Sequence, residues 1–318
     1  MRLPLTKLLA KWGRFLLPTL CFLLFAPAAS AAVGTHTSYS HQLPDFFCGA
    51  TTGLPVTLLV SLNADQTYMT DLKNCYQNSS HIIIRLMDLS STTQGPVLQA
   101  AAARLIAAFT SVASKTYIIL GNELNNLAVE YTCSASLRDC GSIYASQFSI
   151  FNTAIGTTFQ VAAAPLDTSN SIYDAAVFLD GARSAYLNSD FYAANSYALP
   201  SCAYPQLRCS QNSWQWYEQT LGVTKPVILT EFGPNHSDPS LTLSQQINFI
   251  ATQAPSVPIA ITPLIKNTCS SLPWDWLIYI RGQVYDPDCN YVDPTTCTIS
   301  TPPANSASCS IFSMYPSL

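Results

Sequence analysis

The sequence predicts an α/β fold, a (β/α)8 TIM-type barrel that is shortened or irregular at its first strand. Three observations lead there. Continuous apolar runs rich in β-branched residues recur along the chain, as expected of strands buried on both faces. Segments with apolar residues at helical spacing lie between them. No Gly-x-Gly-x-x-Gly turn and no Walker loop is present, which removes the usual mark of a doubly wound nucleotide-binding sheet.

The elements follow in order. Residues 1–31 are read as a bacterial-type signal peptide: Lys7, Lys11 and Arg14 give a positive start, Phe15–Ala26 is apolar, and Ala29-Ser30-Ala31 supplies a small-residue cleavage site. Residues 32–318 are then one barrel domain ending in a disulfide-rich segment. The first strand belongs in Thr35–Phe47, where no apolar run shows itself. Strands two to eight are Val56–Leu62, His81–Leu89, Tyr117–Gly121, Phe159–Pro165, Phe191–Tyr197, Val227–Thr230 and Pro258–Leu264. Between the third and fourth, Leu98, Ala102, Leu105, Phe109 and Val112 share one helical face; after the fourth, Tyr144, Phe148, Phe151 and Ile155 do the same.

Composition narrows the partners. Lys and Arg number 14 against 18 Asp and Glu, for a net charge of −4, and no basic stripe offers nucleic acid a foothold. Cys21 lies in the leader, so ten of the 11 cysteines remain. None forms a Cys-x-x-Cys pair and the four histidines are scattered, so neither metal nor cofactor is expected. Disulfides of an exported protein account for the cysteines better, giving a secreted, periplasmic or cell-envelope location. No further apolar stretch is expected to be long enough to cross a membrane, so no stable insertion is expected once the leader is removed, and a monomer is expected.

Chemistry concentrates at two strand ends. Tyr117–Asn126 (YIILGNELNN) and Val227–Asn235 (VILTEFGPN) each run from an apolar strand into a glutamate and then turn residues, in a chain with only 10% charged residues. In such a barrel the site lies at the C-terminal ends of the strands, so Glu123 after strand four and Glu231 after strand seven open onto one face.

GNELNN and TEFGPN resemble the two signatures of the retaining (β/α)8 glycoside hydrolases, the clan of cellulases, mannanases and β-galactosidases. Among them the likeness is greatest to small, uncharacterised secreted bacterial members. The resemblance spans about Val56 to Leu264, and it implies Glu123 as general acid/base and Glu231 as nucleophile. It implies that Asn122 bonds a sugar hydroxyl and that Tyr197 donates to the nucleophile. Leu124 stands where the clan commonly has proline.

Other residues complete the candidate cleft. Arg85, at the end of strand three, is the cation expected beside Glu231, because a nucleophilic carboxylate has to stay ionised. Asn195 can bond a sugar hydroxyl, and Trp274 offers a flat apolar face for a pyranose, with Trp276 the weaker choice. Asp88 and Asp167, at strand ends, are turn-formers or site residues, and His236 is a rim contact or merely solvated. The expected substrate is a carbohydrate polymer or oligomer, cleaved by a two-glutamate double displacement. The competing reading is a non-catalytic carbohydrate-binding or cell-envelope protein on the same barrel. Proximity in sequence pairs Cys133 with Cys140, Cys202 with Cys209, Cys48 with Cys75, Cys269 with Cys289 and Cys297 with Cys309.

Overall fold

Strand β2 (Pro55–Ser61) is buried at all seven positions, as its unbroken apolar run requires. It pairs in parallel with β1 (Thr35–Thr37) on one side and β3 (His81–Met87) on the other. Parallel pairing continues through β4 (Thr116–Leu120) to β5 (Gln160–Ala163). A second ladder begins with β6 (Tyr192–Ala198), β7 (Val227–Pro234) and β8 (Ile261–Lys266), again parallel. The two ladders adjoin at both edges: the Asp190 N–H bonds Val161 O at 2.8 Å between β5 and β6, and β8 packs against β1. Eight parallel strands therefore follow a (β/α)8 barrel plan. Among the described residues the hydrogen-bonded ladder is interrupted between β5 and β6 and between β8 and β1. The computed structural model describes residues 35–37, 52–127, 130–168, 172–198, 214–234, 242–253, 261–266, 269, 271, 276–280, 283–285 and 291–300.

Helices alternate with these strands. Helix α1 (Gln66–Tyr76) starts where the Asp65 carboxylate accepts from the Tyr68 N–H at 2.8 Å, and it buries Met69, Leu72 and Tyr76. Helix α2 (Gly95–Phe109) has Pro96 in its first turn and buries Leu98, Ala102, Leu105 and Phe109. A 3-10 turn over Thr110–Lys115 leads into β4. Together these make 21 residues, long and apolar enough by composition to cross a membrane, contrary to the expectation that no further stretch would be. In the fold the apolar stripe of α2 is buried in the barrel's core instead. Helix α3 (Leu137–Ile155) is capped by Ser136, and α4 (Ile172–Leu187) lies against it. That approach needs glycine: a Cβ on Gly181 would sit 1.9 Å from Arg138 O, and one on Gly141 2.3 Å from Phe178 O. Helix α5 (Gln215–Leu221) precedes β7, and α6 (Leu243–Gln253) follows it.

The strand pleat sorts side chains into two shells. Ile82, Ile84, Ile118, Leu120, Val161 and Ala163 pack in the large core with Leu98 and Phe148 of the helices. Ile83, Ile119, Ala162, Ala193 and Ile228 form a separate inner cluster. Tyrosines from the helices hold the outer ends of the strands. Tyr144 Oη donates to Leu120 O and accepts from Ala164 N, both at 2.8 Å, Tyr186 Oη donates to Ala164 O, and Tyr217 Oη accepts from Leu166 N. These bonds satisfy backbone groups just where β4 and β5 open into the loops that carry the site.

After β8 the chain turns antiparallel, through β9 (Trp276–Ile280), β10 (Gln283–Tyr285), β11 (Tyr291–Asp293) and β12 (Thr298–Ser300). This meander corrects the expected pairing of the last cysteines. Cys133 bonds Cys140 as their spacing predicts, but Cys269 bonds Cys297, so neither Cys269–Cys289 nor Cys297–Cys309 forms. Lengthening the closed segment from 20 to 28 residues costs only about 0.3 kcal/mol of chain entropy, so folding back of the meander decides the partner. Cys75 is also disulfide-bonded. Cys48, Cys202, Cys209, Cys289 and Cys309 lie outside the described residues.

Candidate active site

Arg85 follows Ile83 by two positions in β3, so the pleat turns it to the inner face at the strand's C-terminal half. It is completely buried. Its Nη1 donates to Glu231 Oε1 at 2.6 Å, and its Nη2 donates to Asn122 Oδ1. A buried arginine is tolerated only when paired and hydrogen-bonded, and these two acceptors serve that need.

Glu231 reaches the inner face through an irregularity. Ala194 pairs with Leu229, but the next residue, Asn195, pairs with Glu231, so Thr230 is an extra residue bulged out of the ladder. Ile228 faces inward; simple alternation would turn Thr230 in and Glu231 out toward the helices. The bulge reverses that parity, and Glu231 joins Asn195 on the inner face while Phe232 packs on Phe249 of α6.

Glu123 leaves β4 through a strained turn. Gly121 has φ +96°, and a Cβ there would lie 2.8 Å from the Leu124 side chain, so only glycine fits. Leu124, in the position where proline is common, is buried. Glu123 itself adopts φ +41°, held by its N–H on Pro165 O at 2.8 Å and by the Asn126 N–H on its carbonyl at 2.7 Å. Its carboxyl is ringed by protein although the residue keeps some contact with solvent. Asn195 Nδ2 donates to Glu123 Oε1 at 2.7 Å and lies 3.3 Å from Asn122 Oδ1. The two glutamates are thus linked by one chain of polar side chains, Glu231–Arg85–Asn122–Asn195–Glu123, on one face of the barrel.

The electrostatics separate the pair. Burial, then the charge of Glu231 and then that of Asp167, pushes the Glu123 carboxyl up to about 8, against the opposing effects of the Asn195 bond and Arg85. Glu123 therefore holds a proton at neutral pH, while Glu231 has a guanidinium on its Oε1. One carboxyl able to give a proton and one backed by a fixed cation can together perform acid-assisted displacement.

Two further residues belong to this cluster and were not evident from strand ends. Glu130 is in the loop after β4, where its N–H bonds Asn126 O at 3.0 Å and the neighbouring Thr132 bridges to Ser90. Its carboxylate lies near the Asn122 amide and feels Arg85, Glu231 and Asp88; burial raises its affinity for a proton. Thr230 donates to Asn195 Oδ1 at 2.6 Å. Asp88 has φ +65° and accepts from Ser61 Oγ at 2.5 Å, and Asp167 is tied by its backbone to the Asn125 amide. Tyr197 is in β6, two positions beyond Asn195, but its side chain, like Trp274, the Trp276 side chain and His236, lies outside the described residues.

No family model matches the chain, and no curated protein matches it. Among solved structures it is similar to the YdhT protein from Bacillus subtilis, at 16% identity over 74% of this chain and 80% of that one, with a TM-score of 0.43. It is similar to a GH5-4 broad-specificity endoglucanase from an uncultured bacterium, at 12% identity over 74% and 87%, with a TM-score of 0.49. A third is the β-glucanase SdGluc5_26A from Saccharophagus degradans in complex with cellotetraose, at 11% identity over 73% and 78%, with a TM-score of 0.45. Similarity at this level concerns fold and not chemistry.

Proposed function

We propose that the chain is a secreted glycoside hydrolase that cleaves a poly- or oligosaccharide with retention of anomeric configuration. The observation that carries this reading is the pair of inward carboxyls with opposite characters, Glu123 protonated near neutrality and Glu231 held by Arg85. In the first step Glu231 attacks the anomeric carbon while Glu123 gives its proton to the departing oxygen. In the second, Glu123, now ionised, takes a proton from water, which displaces Glu231 and restores both groups. Asn122 and Asn195 line the space between them; Asn122 offers the donor edge of its amide to a sugar hydroxyl, and Asn195 Oδ1 keeps one lone pair for another. Tyr197 and Trp274 complete the cleft in this reading, as a donor to the nucleophile and a stacking platform. Secretion is supported by the apolar leader with its small-residue site and by the bonded cysteines, which suit an oxidising compartment.

The test is turnover of β-glucan, mannan, chitin and peptidoglycan by the purified chain, followed by variants on whichever is cleaved. Glu231→Gln keeps the shape and removes the attacking charge, so activity falls by several orders of magnitude while sugar binding survives. Azide restores Glu123→Ala with retained stereochemistry and gives Glu231→Ala an inverted product, because the anion takes the place of a different partner in each. Binding of a polysaccharide without turnover would favour the non-catalytic carbohydrate-binding reading. Full activity in both glutamine variants would remove the hydrolase assignment.

A further inference from the structure

Thr230 plays no part in the chemistry above, yet it is fully buried beside it. As the bulged residue of β7 its hydroxyl turns toward β6, donating to Asn195 Oδ1 at 2.6 Å and lying 3.3 Å from Ala194 O. An amide has a donor edge and an acceptor edge, and neighbours decide which way it faces. With Oδ1 held by Thr230, Nδ2 faces Glu123 Oε1 at 2.7 Å and Asn122 Oδ1 at 3.3 Å. Turned over, the amide would set its oxygen against Asn122 Oδ1, which already accepts from Arg85, and two acceptors would meet with no proton between them.

We propose that Thr230 is a positioning residue: it locks the Asn195 amide so that Glu123 Oε1 is always an acceptor and the transferable proton resides on Oε2. An N–H already occupies Oε1, so a proton placed there would face another. In the first half of the reaction the Oε2 proton passes to the glycosidic oxygen as the bond from that oxygen to the anomeric carbon breaks. In the second, Oε2 takes a proton from water as the water oxygen bonds the same carbon. Both transfers use one oxygen, and the amide does not turn between them. The catalytic consequence rests on the glycosidase reading; the lock itself does not.

The experiment compares Thr230→Val, which keeps the shape and loses the hydroxyl, with Thr230→Ser, which keeps the hydroxyl. Thr230→Ala serves the same purpose with less bulk should valine disturb the bulge. Side-chain carboxyl NMR of the 13C-labelled chain follows Glu123, assigned through Glu123→Gln. The expected result is an upward move of the Glu123 midpoint in Thr230→Val, since an amide no longer held by the hydroxyl bonds the carboxylate less firmly, and none in Thr230→Ser. On glycosides with a poor leaving group, Thr230→Val loses about tenfold or more in kcat/KM, Thr230→Ser recovers it, and good leaving groups show little loss. An unchanged midpoint in both hydroxyl-free variants, or a serine variant that moves as far as valine, overturns the lock. A moved midpoint in a chain that cleaves no glycoside supports the lock and overturns only the proposed reaction.

Discussion

The raised proton affinity of Glu123 has a consequence for stability that needs no substrate. In the folded chain this carboxyl titrates at about 8 against an ordinary 4.5. The folded state therefore binds the proton more tightly than the unfolded state. Its contribution is complete below the unfolded value and is lost as pH rises through the folded one. Each tenfold change in proton affinity is worth about 1.36 kcal/mol, which sets a ceiling of roughly 5 kcal/mol between the two values. Solvent contact on the open side of the residue lowers this to about 2 kcal/mol. Glu123→Gln has no charge to bury, so it escapes the loss. Thermal melts of the two proteins should run together near pH 5 and separate by roughly 4 °C at pH 9, with the variant the more stable. A separation that is the same at both pH values, or a variant less stable at pH 9, would show that Glu123 is not held protonated by its surroundings. In the glycosidase reading the same group gives kcat/KM a basic limb near 8.

Three further outcomes follow from particular contacts. Glu123, Glu130, Glu231, Asp88 and Asp167 gather around Arg85, so aryl uronides should be cleaved about tenfold or more less well than neutral glycosides, with Glu130→Gln narrowing the gap; equal rates on both substrate types would contradict this. Gly181→Ala drives a methyl group into the Arg138 carbonyl of α3 and should cost about 3 kcal/mol in urea unfolding, and a neutral result would mean that the helices are free to part. Replacing Cys133 and Cys140 together by serine should cost about 2.5 kcal/mol by the closure of a short loop, and less than about 1 kcal/mol would mean that the surrounding bonds alone hold it.

How much was legible in the sequence depended on whether a feature is local. Strands two to seven were readable because both faces are covered and the runs are unbroken, and strand eight because its run is unbroken. Strand β1 was not, since its residues Thr35, His36 and Thr37 carry no apolar signal and its place comes from pairing with Val56 to Leu58. Glu123 and Glu231 were visible as carboxylates at the ends of apolar runs, and Arg85 as a lone cation after three isoleucines. The route by which Glu231 enters was hidden: counting alternation from Ile228 turns it outward, and only the bulge at Thr230 restores it. Glu130 was hidden for another reason. It ends no strand, and its approach to Asn122 is set by how the loop curls on Asn126 and meets Ser90. The last disulfide depended on an antiparallel meander whose strands are three to five residues long, too short to announce themselves.

The central claim is that Glu231 forms a covalent bond to sugar. Incubating the chain with 2-deoxy-2-fluoroglycosyl fluorides of the gluco, manno and xylo series slows release of that bond, and intact mass followed by peptide mapping finds it. The account predicts one added glycosyl group per chain, located on Glu231 and absent from Glu231→Gln. A chain that hydrolyses the matching natural glycoside yet carries no adduct, or carries it on another residue, would contradict the account.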